Sequence, residues 1–145
     1  VALGERGHVV ADPPVREAAR KRRYPAAARV HERVTGRDLS ERAFELADAA
    51  AALDDLLGEV PEARGLVAES HPEVCFTAFA GAPPEHARST AGDARVTVHD
   101  VLDALALAYT ARPGTGELRS LPPDPPTDEE GLPMAIHYRA PEPLD

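Results

Sequence analysis

The segment from Val98 to Ala111 constrains the fold most, because its apolar residues recur at helical spacing on nearly every side. At about 100° per residue, one stripe on such a helix comprises Val98, Val101, Leu102, Leu105 and Tyr109. The opposite side also carries apolar residues, among them Ala104 and Leu107. A helix that is apolar almost all round is buried on two sides. The sequence therefore predicts a 98–111 helix held between other elements.

Two aspartates lie near the start of this predicted helix. Asp100 and Asp103 are three residues apart and so share one side, opposite the apolar stripe. Neighbouring carboxylates repel each other unless a cation or a shared proton relieves the repulsion, and Mg²⁺ prefers carboxylate oxygens. The alternative is that both aspartates only complement the positive N-terminal end of the helix. The spacing alone leaves both interpretations open.

A second acidic segment surrounds Pro72. The apolar pair before Glu69 predicts a short strand over residues 65–69, and α/β proteins present catalytic groups where such strands end. On an extended chain Glu69, His71 and Glu73 share one side, and His71 could orient a carboxylate or act as an acid or base. The alternative is a turn at Pro72 whose polar residues face water.

The rest of the chain predicts a helix-rich α/β domain that spans residues 1–145. We expect a helix from Pro25 to Gly36 and a longer helix over residues 40–57, which follows a capping box at 38–41. Residues 74–79 are ambiguous between strand and helix, and 134–138 alternate like a strand. Residues 112–130 are predicted to be a Pro-rich linker.

Composition limits the possible functions. A net charge of −9 is unlike the positive footprint of a protein that grips nucleic acid. One cluster of basic residues is either a phosphate-contacting patch or a solvated helix end: Arg16, Arg20, Lys21, Arg22 and Arg23. The single cysteine, Cys75, excludes an internal disulfide and predicts a cytoplasmic location. No apolar run approaches the roughly 18 residues of a membrane span, so we expect no membrane contact.

Four segments in chain order carry a resemblance to one family. Residues 67–76 resemble an E-x-H-P-E signature, and residues 100–105 resemble a D-D-v-l-D-A-l helix. Residues 131–138 look like a closing D-x-x-G-L-P-x-x-I-x-Y motif, and residues 36–40 match a landmark before the long helix. Over nearly its whole length the chain resembles domain of unknown function 429 (DUF429), a bacterial family of predicted nucleases.

The resemblance implies an RNase H-like α/β fold in which acidic residues hold one or two divalent ions and cut phosphodiesters. By position, Glu69, Asp100 and Asp103 would be the catalytic acids. The same three residues and Glu73 would be the metal ligands, with Mg²⁺ or Mn²⁺ as the cofactor and a nucleic acid as the possible substrate.

The sequence departs from the family pattern in ways that predict an incomplete domain. The chain begins near a turn that follows the family's first strands, whose two Asp residues are absent, and Ala87 stands near an expected Lys. The stretch from residue 92 to residue 100 is shorter than the corresponding stretch of the family, and His99 occupies a position where the family often has Asp. We therefore expect a partial RNase H-like domain, the C-terminal portion of the family's domain, with a small incomplete sheet.

Such a domain is expected to be inactive or incomplete by itself, unless a second copy in a homo-oligomer supplies the missing strands. The alternative function is a non-catalytic protein-interaction module, in which the acidic surface and the basic cluster bind protein partners.

Overall fold

The computed structural model describes residues 13–81 and 97–144, which divide into two compact units. The helical unit comprises the described residues up to Val67, and the mixed unit begins at Ala68. The helical unit contains α1 (Arg16–Ala19), α2 (Tyr24–Thr35), α3 (Glu41–Phe44), α4 (Ala47–Glu59) and a 3₁₀ helix (Pro61–Gly65). The mixed unit contains α5 (Pro72–Ala80), α6 (Val98–Ala111), β1 (Glu117–Leu121) and β2 (Ile136–Ala140).

Local signals define α2, and its predicted bounds are confirmed. Pro25 lies in the first turn, where its missing N–H has no partner to lose. Gly36 follows the last turn in a left-handed conformation, with φ of 70°, and its amide donates to the carbonyl of Glu32. α2 packs against α1 and α3 around a small core of Ala18, Ala27, Val30, Leu39 and Ala43.

The helix predicted over residues 40–57 begins at the expected place but is not continuous. The Ser40 hydroxyl caps α3 by accepting a hydrogen bond from the amide of Ala43 at 3.1 Å. A turn at residues 45–46 then separates α3 from α4. The small Ala43 and Ala47 are buried, whereas Leu46 is 60% exposed. Periodicity indicates a helical face but does not tell which residues a neighbouring helix will cover.

The sheet of the mixed unit consists of β1 and β2, which pair antiparallel with Glu117 opposite Ala140 and Leu121 opposite Ile136. The predicted last strand exists but lies two residues later than expected. β1 falls inside the range predicted as a linker, so that prediction is wrong for residues 117–121. Pairing with β2 stabilises this short strand, and a partner 15 or more residues away leaves little trace in the local pattern.

The strand predicted over residues 65–69 is wrong. Pro61 begins a 3₁₀ helix that ends at Gly65, and Leu66 is 86% exposed, so this apolar residue does not enter a sheet. The chain meets the sheet only at Ser70, which forms an isolated parallel bridge with His137 of β2. Two paired strands and one bridge therefore make up the small sheet among the described residues.

The ambiguous segment at 74–79 is helical. α5 begins at Pro72 and ends before Gly81, whose φ of 77° is left-handed. It packs against α6 and β2 around a core of Val74, Cys75, Ala106, Tyr138 and Ala140. The mixed unit is thus helix-rich with a small sheet, as the sequence predicts at this coarse level.

In the part of the chain that the structure describes, no helix combines the length and the apolar character needed to cross a bilayer.

Candidate functional site

The orientation of α6 decides which of its side chains can take part in a site. Its bounds are those predicted, but its apolar stripe points outward: Val98 is 70% exposed, Val101 50% and Leu105 60%. The buried residues are Ala106 and Thr110. The predicted burial of the stripe is therefore wrong, because another side of the helix packs instead, with Ala106, Leu107 and Thr110.

Asp103 lies on this packed face. It precedes the buried Ala106 by three residues and Thr110 by seven, a spacing that places all three on one side of the helix. Asp103 is half-buried, whereas Asp100 is exposed. Of the two aspartates, Asp103 is thus the one turned toward the interior of the mixed unit.

Asp100 is held in a capping box at the start of α6. Its Oδ2 accepts hydrogen bonds from the amide of Thr97 at 2.7 Å and from the Thr97 hydroxyl at 2.8 Å. In return, the Asp100 amide donates to Thr97 Oγ1 at 3.2 Å. The hydrogen bond from the Thr97 amide is the larger cause that lowers the pKa of Asp100 below its ordinary 3.8, and the hydrogen bond from the Thr97 hydroxyl is the next.

The contacts of the Asp100 side chain therefore agree with the alternative interpretation, in which this aspartate stabilises the N-terminal end of the helix. Both capping contacts use Oδ2, so Oδ1 lies outside the capping box. A role in metal binding would have to use that second oxygen.

The acidic segment around Pro72 is not extended, so Glu69 and Glu73 do not share one side of a strand. Glu69 is exposed, and its carbonyl accepts a hydrogen bond from the amide of His137 at 2.7 Å. Glu73 is buried in the first turn of α5, with 8% of its surface exposed. Pro72 starts the helix between them and turns the two carboxylates into different environments.

His71 precedes α5 and its backbone is extended, with φ of −131°. Its Nδ1 is buried and has no hydrogen-bond partner among the described residues. Among the described residues, Nδ1 of His71 thus orients no carboxylate. The expected roles of His71, to orient a carboxylate or to move a proton, stay predictions.

A partly buried hydrogen-bonded chain that the sequence did not reveal ties α5 to β2. The Ser70 hydroxyl donates to the carbonyl of His137 at 2.7 Å and lies 3.1 Å from the sulfur of Cys75. Because the hydroxyl has one proton, and His137 receives it, the Cys75 thiol is the donor to Ser70. Ser70 and His137 are 67 residues apart, so no local pattern could have indicated the contact.

A metal site would require the predicted acidic ligands to lie close together. Among residues 13–81 and 97–144, no three His, Cys, Asp or Glu side chains are grouped so that they could hold a metal ion. The described residues alone thus do not fit a two-metal centre. The assignment of Glu69, Glu73, Asp100 and Asp103 as ligands stays a prediction. Two of the departures from the family pattern concern residues 1–4 and Ala87, which lie outside the described residues.

Three members of the basic cluster form ion pairs within the helical unit. Arg16 contacts Asp54 at 2.7 Å, and Arg20 contacts Asp54 at 2.9 Å and Asp55 at 2.6 Å. Lys21 lies 3.4 Å from Glu17 on the same stretch of chain. A phosphate would have to compete with these carboxylates, which favours the solvated helix end over a phosphate-contacting patch.

Comparison with known protein families identifies a match over most of the chain. The model of a family described as "Protein of unknown function (DUF429)" matches residues 1–127. Neither a curated protein nor a solved structure matches the chain.

Proposed function

We propose that this chain, which belongs to the DUF429 family, is a metal-dependent nuclease-type domain of RNase H-like fold that hydrolyses phosphodiesters weakly or not at all by itself. The observation that carries the proposal is the inward placement of two acids in one unit. Glu73 is buried on α5, Asp103 is half-buried on α6, and these two helices pack against each other. An acid that serves only solubility has no reason to lie on a packed face.

The same geometry explains why turnover is expected to be low. Mg²⁺ or Mn²⁺ would supply an activated water and stabilise the leaving oxygen. Glu73 and Asp103 are the side chains that would hold such an ion, and no third ligand is grouped with them among the described residues. The exposed Glu69 would have to reach it from the bridge to β2. Because the described residues lack a group of three ligands, we expect them to hold such an ion weakly.

Charge points in the same direction. A chain with a net charge of −9 repels a polyanionic substrate, and the repulsion lowers the rate of encounter. The ion pairs of Arg16 and Arg20 with Asp54 and Asp55 reduce the positive charge that the helical unit offers to a phosphate. A nucleic-acid substrate would thus meet little long-range attraction.

The test is to incubate the purified chain with labelled RNA, single-stranded DNA and branched DNA in Mg²⁺ or Mn²⁺. Two variants accompany it: Asp103→Asn, and the matched control Asp124→Asn, which neutralises an exposed aspartate in the Pro-rich stretch. We expect the wild-type chain to cleave no faster than Asp103→Asn. Cleavage that Asp103→Asn abolishes and Asp124→Asn retains would show a working site and overturn the low-turnover proposal.

The outward apolar stripe of α6 favours a second candidate function, a non-catalytic interaction module. Contiguous exposed apolar side chains on a soluble protein mark interaction surfaces. Here Val98, Val101 and Leu105 are each at least half exposed on one helix. The partner would be another protein, or a second copy in a homo-oligomer. We include a cytoplasmic location in the proposal, because the lone thiol of Cys75 is compatible with a reducing compartment.

Sedimentation velocity over a range of concentrations tests the second copy. Leu105→Glu places a charge on the stripe, and Leu118→Glu is the matched control on β1, where Leu118 is 52% exposed. Self-association through the stripe predicts a dimer that only Leu105→Glu dissociates. A wild-type chain that stays monomeric at all concentrations would exclude the homo-oligomer.

A further inference from the structure

The small sheet of the mixed unit has one outer edge, which belongs to β1. The other strand, β2, is flanked on both sides, because it pairs with β1 and the amide of its His137 donates to the carbonyl of Glu69 at 2.7 Å. The N–H of His137 therefore points away from β1. In an antiparallel pair, two residues directly opposite each other point their backbone groups either both inward or both outward. Ser120 lies opposite His137, so the N–H and C=O of Ser120 point out of the sheet.

The direction of the backbone groups alternates along β1. Leu118 and Ser120 direct their N–H and C=O groups to the outer edge, whereas Arg119 between them bonds to Tyr138 of β2. Among residues 13–81 and 97–144, no hydrogen bond engages the outward backbone groups of Leu118 or Ser120. A row of such groups on an edge strand can pair with the strand of another chain.

The side chains of β1 determine which strand this edge favours. Glu117 and Arg119 lie two residues apart on one face of the strand and carry opposite charges. They form an ion pair at 2.8 Å, and the Glu117 side chain is 78% exposed. Charged residues on an edge strand ordinarily prevent pairing with other strands. Opposite charges at this spacing instead favour a partner strand that presents the same two charges in the reverse order.

A second copy of β1 presents the charges in that order. Two identical edges that meet across a two-fold axis run antiparallel. When Leu118 lies opposite Leu118 of the second copy, Glu117 of each copy faces Arg119 of the other. Sliding the strands by two residues places Arg119 opposite Arg119 in one direction and Glu117 opposite Glu117 in the other. Like charges directly opposite each other are destabilising, so the charges select the first register.

We propose that the outer edge of β1 is a dimerisation surface, at which two copies of this chain pair antiparallel with Leu118 opposite Leu118. The two sheets then form one continuous sheet. The Leu118 residues exchange two backbone hydrogen bonds, and Glu117 and Arg119 form two cross-strand charge pairs. The Leu118 side chains, each 52% exposed in a single copy, become neighbours and lose contact with water. This surface is separate from the outward stripe of α6 and needs no metal.

Amide hydrogen exchange on the unmodified full chain gives the first test. The Leu118 amide is open to water in a single copy and hydrogen-bonded in the dimer, whereas the Arg119 amide bonds to β2 in both. We therefore expect exchange at Leu118 to slow as the protein concentration rises from micromolar to millimolar, while exchange at Arg119 does not change. Exchange at Leu118 that does not depend on concentration would overturn the proposal.

Charge reversal tests the register by sedimentation velocity. Glu117→Arg places two arginines opposite each other, and Arg119→Glu places two glutamates opposite each other, at both charge pairs of the dimer. We expect each variant to weaken self-association about tenfold. When the two variants are mixed, every opposite pair in the heterodimer is attractive, so association should return. Association that neither variant weakens would contradict the proposed register.

A cysteine variant tests the same register with both charges intact. This matters because Arg119→Glu also loses the hydrogen bonds to the carbonyls of Ala140 and Pro141, and its fold can suffer. In Leu118→Cys the two Cα atoms would lie about 5.5 Å apart, within reach of a disulfide. In the matched control Ser120→Cys they would lie more than about 13 Å apart. We expect oxidation to cross-link only Leu118→Cys, and equal cross-linking of both variants would overturn the register.

Sedimentation velocity of two further variants separates this edge from the stripe of α6. Leu118→Glu places like charges opposite each other at the centre of the proposed dimer, whereas Leu105→Glu changes only the stripe. We expect Leu118→Glu to dissociate the dimer and Leu105→Glu to retain it. A dimer that Leu105→Glu dissociates and Leu118→Glu retains would overturn the proposal and assign self-association to the stripe.

Discussion

Replacing Thr97 with alanine removes the side chain on which the capping box of α6 depends. The hydroxyl of Thr97 accepts from the Asp100 amide at 3.2 Å and donates to Asp100 Oδ2 at 2.8 Å. Loss of an N-cap threonine costs about 1 kcal/mol, within a range of about 0.5–2. We expect Thr97→Ala to lower the free energy of unfolding by about this amount at pH 7, as measured by urea denaturation.

The same substitution has a signature in the titration of Asp100. The larger cause of its lowered pKa is the hydrogen bond from the Thr97 amide, which alanine keeps, and the hydroxyl bond is the smaller cause. The pKa of Asp100 should therefore move toward 3.8 in Thr97→Ala without reaching it, as followed by NMR.

The direction of the pH effect follows from the sign of this shift. A carboxylate whose pKa is lowered in the folded chain stabilises that chain above the ordinary value, and the contribution disappears as the pH falls through the lowered pKa. The stability difference between wild type and Thr97→Ala should accordingly be smaller in acid than at pH 7.

The control is Thr127→Ala, at an exposed threonine of the mixed unit. A Thr97→Ala chain as stable as Thr127→Ala, with an unchanged pKa at Asp100, would refute the capping role. Asp100 would then be released for the metal-binding role that the family resemblance implies.

Two further substitutions test the packing of the mixed unit, both by urea denaturation. Gly116→Ala should destabilise the chain more than Gly131→Ala, although both glycines have positive φ, at 125° and 77°. The reason is that a Cβ at Gly116 would lie 2.7 Å from the carbonyl carbon of Ala140, whereas a Cβ at Gly131 would have nothing within 4 Å. Equal losses would contradict the close approach of β2. Tyr138→Phe should cost about 0.5–1.5 kcal/mol, because the buried hydroxyl accepts from the Leu144 amide at 2.9 Å. An unchanged stability would mean that this bond contributes nothing to the fold.

The features that the sequence predicted correctly have local causes. Pro25 and Gly36 bound α2, because each acts within one turn of its own position. The next helix also begins where the sequence predicts, but Ser40 caps it instead of the capping box predicted at 38–41. The bounds of α6 follow from its uninterrupted run of helix-compatible residues between Thr97 and Arg112. Helix ends of this kind are decided by neighbours in the chain.

The features that it missed depend on distant partners. β1 exists because it pairs with β2, and the break at residues 45–46 places α3 and α4 as separate helices. For α6 the periodicity showed an apolar stripe, but the packed face is the one that carries Ala106 and Thr110. Small residues allow close helix packing, and a hydrophobicity pattern gives them little weight.

The candidate site divides along the same line. Asp100 and Asp103 share a helix side by spacing alone, so their relation was predictable. Their difference was not, because Thr97 engages Asp100 while the packing of α6 turns Asp103 inward. The burial of Glu73 depends on α5 starting at Pro72, where the sequence left an extended chain and a turn both open.

The most direct test of the nuclease-type proposal is to locate a paramagnetic divalent ion on the folded chain. Mn²⁺ is titrated into the labelled protein and the loss of amide signals is followed by NMR, with Asp103→Asn and Asp124→Asn measured alongside. The proposal predicts that signals around Glu73 and Asp103 broaden together, and that Asp103→Asn alone prevents this. Broadening confined to the acidic stretch from Asp124 to Glu130, unchanged in Asp103→Asn, would contradict it.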